Sequence, residues 1–219
     1  PLETGVILSS GDIGLAGGTN SSSFAGPNNQ TNSDVDLDKL VMAGGHPTFD
    51  AAVLEFDIVS TNSFVLRFQY VFASEEYPEF INDYNDPLAI FVSTNRVGTN
   101  WIINTNNNIA LVPGTGQIVT VGSINGGFEQ GSNPAINPQY YVDNEDPDVD
   151  FSAMPPYAAG IQLFNVQYDG MTVLLSAQVL ISANATNHIK IGIEDYHDPT
   201  FDSAVFIKKW EPGSCCECQ

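Results

Sequence analysis

Ala52–Val59 reads AVLEFDIV, with Leu54, Phe56 and Ile58 alternating against Glu55 and Asp57. Side chains of an extended chain point to opposite faces in turn, so this spacing predicts a strand with one apolar face and one polar face. Phe64–Phe72, Leu88–Ser93, Trp101–Ile103, Gln117–Val121, Met171–Ile181, His188–Ile193 and Ser203–Trp210 carry strand signals of the same kind. Between them Gly, Asn, Ser, Thr and Pro punctuate the chain every few residues, and no long window keeps a helical apolar period. Strands joined by turns without crossover helices imply an all-β fold, an antiparallel β-sandwich or jelly roll with long irregular loops. A short helix is expected around Asp36–Met42. The Asn/Gly/Ser/Pro-rich stretches at 17–34 and 123–156 are expected as ordered surface loops or insertions.

With 219 residues, 42% of them hydrophobic and 11% aromatic, the chain can bury a full core without staples. Residues 1–210 are therefore expected as one sandwich domain and 211–219 as a cysteine-containing tail. No apolar run approaches the roughly 18 to 20 residues that a membrane helix needs, so membrane insertion is not expected. The first residue is Pro1 rather than Met, which implies either a removed leader or a longer precursor. Asp and Glu number 26 against 6 Lys and Arg, a formal net charge of -20. That balance repels nucleic acid and anionic lipid and favours cations, above all divalent metal.

The acids are concentrated. In FASEEYPEFINDYNDPLAIF (72–91), Glu75, Glu76, Glu79, Asp83 and Asp86 lie between two apolar strands with no basic residue among them. Two like charges about 4 Å apart cost roughly 4 kcal/mol at an effective dielectric near 20, so the side chains either splay into solvent or hold something positive. Calcium suits the second case, because it takes 6 to 8 oxygens from carboxylates, Asn side chains such as Asn82 and Asn85, and loop carbonyls. IEDYHDPTFDS (193–203) adds Glu194, Asp195, Asp198 and Asp202, and NSDVDLD (32–38) adds Asp34, Asp36 and Asp38. Each run reads equally as a solvated acidic loop. An EF-hand is excluded in the third, where Lys39 replaces the turn glycine and Gly45 stands in place of the bidentate glutamate. DNEDPDVD (143–150) reads as a solvated turn.

There is no G-x-S-x-G elbow, no H-E-x-x-H and no glycine-rich phosphate loop. Glu75, Glu76, Glu79 and Glu194 could supply a glycosidase pair, but no spacing singles one out. His46, His188 and His197 stand apart in the sequence. TFDAAVLEF (48–56) echoes TFDSAVFIK (200–208), read either as Asp50 and Asp202 capping turns before buried strands or as a duplicated site. Asn20, Asn29 and Asn184 each head an N-x-[ST] sequon, which an Asn-rich chain also produces by chance. Cys215, Cys216 and Cys218 are one thiol short of a four-cysteine zinc site, and are candidates for intermolecular disulfides if the compartment is oxidising.

TGVILSSGDI (4–13), AGPN (25–28), SDVDLDKL (33–40), TFDAAVLEFDI (48–58), FQYVFASEEYPEFINDYNDPLAIFVS (68–93), NIALVPG (108–114), YVDN (141–144), YDGMTVLLSA (168–177) and HIKIGIEDYHDPTFDSAVFIK (188–208) occur in that order. Together they resemble the choice-of-anchor L domain family over nearly the whole chain. The resemblance implies a secreted or cell-surface module of bacteria and archaea, with no established enzymatic activity. The family's acidic signature falls on Asp36, Asp38, Glu75, Glu76, Asp86, Asp195 and Asp202, the same groups that the charge argument selects as candidate metal ligands, and it brings no assigned ligand role. Strand-forming sequence that family members carry ahead of the segment matching Thr4–Ile13 is missing here, which would leave an open sheet edge for a neighbouring copy to fill.

The expected function is a non-enzymatic extracellular structural or adhesion module, calcium-stabilised, that self-associates through that edge or the terminal cysteines as a surface-fibre subunit. The alternatives are a carbohydrate-binding module presenting Trp101, Tyr140, Tyr141 or Tyr157 to a glycan, and a glycoside hydrolase.

Overall fold

A computed structural model describes residues 4–20, 26, 29, 31–41, 44–81, 83–127, 134–144 and 164–208. The strands in chain order are β1 (Gly5–Ser9), β2 (Thr48–Val59), β3 (Phe64–Ser74), β4 (Leu88–Ser93), β5 (Arg96–Val97), β6 (Asn100–Trp101), β7 (Tyr141–Asp143), β8 (Gly170–Thr172), β9 (Leu175–Ile181), β10 (Thr186–Tyr196) and β11 (Ser203–Lys208). One helix, α1 (Val35–Val41), precedes β2. Every strand pair is antiparallel. One sheet runs β1-β11-β3-β8-β7 with β9 also on β3, and a second runs β2-β10-β4. Alternate residues Leu66, Phe68, Tyr70 and Phe72 of β3 meet Ile189, Ile191 and Ile193 of β10 in the core between the sheets, together with Leu88 and Ile90 of β4 and Val205 and Ile207 of β11. The fold is an all-β antiparallel sandwich.

β10 is buried along almost its whole length, because it is the central strand of its sheet and both of its faces are covered. Its inner face is isoleucine. On the other face, Trp101 stacks on His188 with ring centroids 4.8 Å apart. Lys190 meets Asp34 and Asp36 beside α1, and Leu37 of α1 packs over Gly192, where an added Cβ would lie 2.8 Å from its Cδ1. Asp34 starts α1 by accepting from the Asp36 and Leu37 backbone N–H groups, a side-chain N-cap. α1 is the short helix expected around Asp36–Met42, and Asp36 and Asp38 sit in its first turn.

Three expected strands differ. Met171–Ile181 is broken into β8 and β9, where the Val173 N–H turns away to the Tyr140 carbonyl. Trp101–Ile103 contributes only the end of β6, a two-residue strand paired with β5. Gln117–Val121 is buried at Val119 and Val121 but forms no strand. It lies along the edge of β4 through a Leu88 N–H to Val119 carbonyl bond, and pairs back on Ala110 and Val112 only around a single antiparallel bridge, Leu111 to Ile118.

Candidate metal centre

The acidic loops meet at one end of the sandwich. β10 carries Ile193 into the core and, by alternation, brings Asp195 to the same inner face two residues later. The β2–β10 register slips between Ile193 and Asp195, where β2 holds an extra residue at Asp50. Asp50 adopts φ +52°, the left-handed region that Asp tolerates better than most residues, as in a β-bulge. β3 ends at Ser74 and runs directly into Glu75 and Glu76. The Glu75 N–H donates to the Asp202 carbonyl at 3.1 Å, tying the 75–86 loop to the turn before β11. Phe80 stacks on Phe201, and Tyr84 on His197, so aromatic rings clip the same two segments together.

Asp50, Glu75, Glu76, Asp86, Glu194, Asp195 and Asp202 are each at most 5% exposed. Their oxygens divide into two kinds. Asp86 is satisfied: Oδ1 accepts from the Tyr196 N–H at 2.8 Å and Oδ2 from Ser203 Oγ at 2.7 Å. Asp50 accepts from the Asn29 and Thr31 N–H groups and from Thr31 Oγ1. By contrast Glu76 Oε2, both oxygens of Asp195, Asp202 Oδ1 and Glu194 Oε1 are buried without a hydrogen bond among the described residues. Ser10 Oγ lies close enough to Asp195 to ease its charge, yet it gives its proton to the Ser203 carbonyl. Among the described residues no lysine or arginine pairs with Glu76, Asp86, Asp195 or Asp202.

Burial without a counter-charge among the described residues penalises the charged forms of Glu76, Asp86, Glu194, Asp195 and Asp202. Desolvation, then repulsion from Asp86, Asp198 and Asp195, pushes Glu76 up to about 11. Desolvation raises Asp86 to about 7 against the relief of its two hydrogen bonds. Asp202 is raised to about 7 by burial and by Asp50 and Asp86. Asp195 is raised well above the usual range by burial and then by Asp86. Glu194 reaches about 8 through burial, against the Asp34 N–H it accepts. Among the described residues no three His, Cys, Asp or Glu side chains stand in a ready coordination sphere. The donor chemistry is nevertheless hard oxygen throughout, the kind calcium takes, and the orphaned oxygens are what an ion would satisfy.

Of the residues selected from sequence, Asp86 and Asp195 repel each other, Asp86 repels both Glu76 and Asp202, and Asp195 likewise faces both, while Glu75 joins them through its backbone. Asp36 and Asp38 are not in this group. Asp36 bonds Lys190 at 2.8 Å and Lys39 at 2.9 Å, which lower its pKa against the cost of its burial. Asp38 accepts from Thr48 Oγ1. Asp50 joins the group although its sequence signal was only the echo with Asp202. Cys215, Cys216, Cys218, Asn82 and Tyr157 lie outside the described residues.

The choice-of-anchor L domain family model matches residues 1–211. The chain belongs to the choice-of-anchor L domain family. No curated protein and no solved structure matches it. The choice-of-anchor L domain is a module of secreted or cell-surface proteins and not of a known enzyme family. No helix among the described residues is long and apolar enough to cross a membrane.

Proposed function

We propose that this choice-of-anchor L domain is a non-enzymatic structural or adhesion module whose sandwich is closed at one end by calcium. The observation that carries this reading is the set of buried oxygens on Glu76, Asp195 and Asp202 that have neither a hydrogen bond nor a basic side chain beside them among the described residues. Those three residues and Glu75 would supply the charged ligands. Asp86 and Asp50, held by hydrogen bonds, would fix the loops around the ion. A ligand that binds only the native state stabilises it by about 2.7 kcal/mol at a hundredfold excess over Kd. In a domain of this size that amounts to roughly 5 to 10 °C in Tm. Melting in calcium and in chelator at matched ionic strength tests it, and equal values would remove the metal.

Self-association as a surface-fibre subunit is the second part of the reading. Among the described residues β1 and β2 end their respective sheets, and a groove of about 320 Å³ between them is lined by Val6, Leu54, Phe56, Phe68, Ile191 and Ile207. An open edge beside exposed apolar side chains is a template for strand addition. The terminal cysteines would lock neighbouring copies. A monomer in sedimentation at every concentration, with calcium and under oxidising conditions, would end this part.

The enzymatic and glycan readings draw less support. Of the candidate glycosidase carboxylates, Glu75, Glu76 and Glu194 are at most 2% exposed, so a sugar cannot reach them. Trp101 is engaged by His188 and by the Arg96 guanidinium 5.4 Å from its centroid, and Tyr140 and Tyr141 pack on the core.

A further inference from the structure

The three sequons are equivalent as sequence and different in structure. Asn20 is 2% exposed, and its Nδ2 donates to the Asn144 carbonyl and to Asp169 Oδ1 at 2.6 Å. Its Oδ1 accepts from Gln167. Asn29 donates Nδ2 to the Ser10 carbonyl at 2.7 Å, and the hydroxyl of its sequon threonine, Thr31, is committed to Asp50. Glycosylating Asn20 would break its bonds to Asn144 and Asp169, and glycosylating Asn29 its bond to the Ser10 carbonyl. Asn184 is the opposite case. It is exposed in the turn between β9 and β10 with φ +56°, a conformation that Asn accepts readily in turns. Its backbone N–H is fixed by the Ser60 carbonyl at 2.7 Å, while neither its side-chain amide nor the Thr186 hydroxyl makes a hydrogen bond among the described residues.

We propose that Asn184 is the N-glycan acceptor of this chain. The donor class is an oligosaccharide on a lipid pyrophosphate. A C–N bond forms between the anomeric carbon and Asn184 Nδ2, the C–O bond to the lipid pyrophosphate breaks, the pyrophosphate leaves with the electron pair, and the amide proton passes to solvent. The attachment point suits a surface module. β10 runs from Thr186 to Tyr196, so a glycan at its start lies about 33 Å from the carboxylate end, where it would coat one pole without covering the other.

The test is in vitro transfer by an oligosaccharyltransferase specific for Asn-x-Ser/Thr, first shown to be active on a short acceptor peptide, with intact mass and peptide mapping as the readout. The folded protein should gain one glycan, at Asn184. Asn184→Gln should gain none, nor should Thr186→Ala, which keeps the asparagine and removes only the hydroxyl. The denatured chain should accept glycan at Asn20 and Asn29 as well. An unmodified folded protein, or a glycan placed on Asn20 or Asn29 of the folded protein, would overturn the assignment.

Discussion

Glu76 and Asp86 show how neighbouring carboxylates acquire different work. Asp86 faces an N–H and a hydroxyl, which hold it in place; Glu76 Oε2 faces neither. Glu76→Gln is close in shape to the protonated glutamate that burial favours when no ion is bound. In chelator the variant should therefore melt within roughly 2 °C of the parent, as expected for a near-isosteric change of a few tenths of a kcal/mol. In calcium it should lose most of the gain, because it contributes one charge fewer to the ion. A variant that keeps the full calcium increment would take Glu76 out of the site. Much of this cluster was legible as acid density without base in 72–91 and 193–203. Asp36 fell under the same reading because its buried countercharge is remote in sequence: Lys190 lies 154 positions away and reaches it only once β10 and α1 pack, while Asp38 is taken up by the Thr48 hydroxyl. Asp50 is marked by a left-handed φ that no local pattern announces.

At the scale of elements, period-two alternation made the long strands readable, since β2, β3, β4, β10 and β11 each coincide with an expected run. The short strands β5 and β7 were not readable, because two or three residues carry too little pattern and take their extended form from the neighbours they pair with. The outward face of β10 was also opaque: His188, Lys190 and Glu194 look like a solvent face until α1 and β6 cover it. Lys190 is the residue that ties α1 down, through bonds of 2.7 and 2.8 Å to Asp34 and 2.8 Å to Asp36. Its removal leaves two carboxylates facing each other, though these partners are partly exposed and water softens the loss. Lys190→Met should destabilise the fold by about 1 to 3 kcal/mol, below the range for a fully buried pair. Amide exchange in Val35–Val41 should quicken more than in the core of β3. Uniform protection across both would show that Leu37 on Gly192, and not the ion pairs, holds the helix.

For the whole molecule, the buried acids set the direction in which pH acts. Asp86 and Asp202 stand near 7 and Glu194 near 8 in the folded protein, against about 3.9 to 4.3 in an unfolded chain. Between those limits the native state holds more protons than the unfolded one, so without calcium, stability should fall as pH rises from about 5 to about 8. Above that window these three groups are charged in both states and their contribution to the slope ends. The decline is the reverse of ordinary acid denaturation, in which paired carboxylates lose their partners as pH drops. Saturating calcium should flatten or invert the slope, since the ion favours the charged oxygens that burial opposes. Sodium chloride separates this from general relief of the net charge of -20: salt screens exposed charges over about a Debye length but reaches buried pairs poorly. Tm measured at pH 5 and 8 in chelator, in chelator with sodium chloride, and in calcium at the same ionic strength should show recovery at pH 8 only with calcium. Equal recovery with sodium chloride would locate the penalty on the surface and leave the buried carboxylates without an ion to hold.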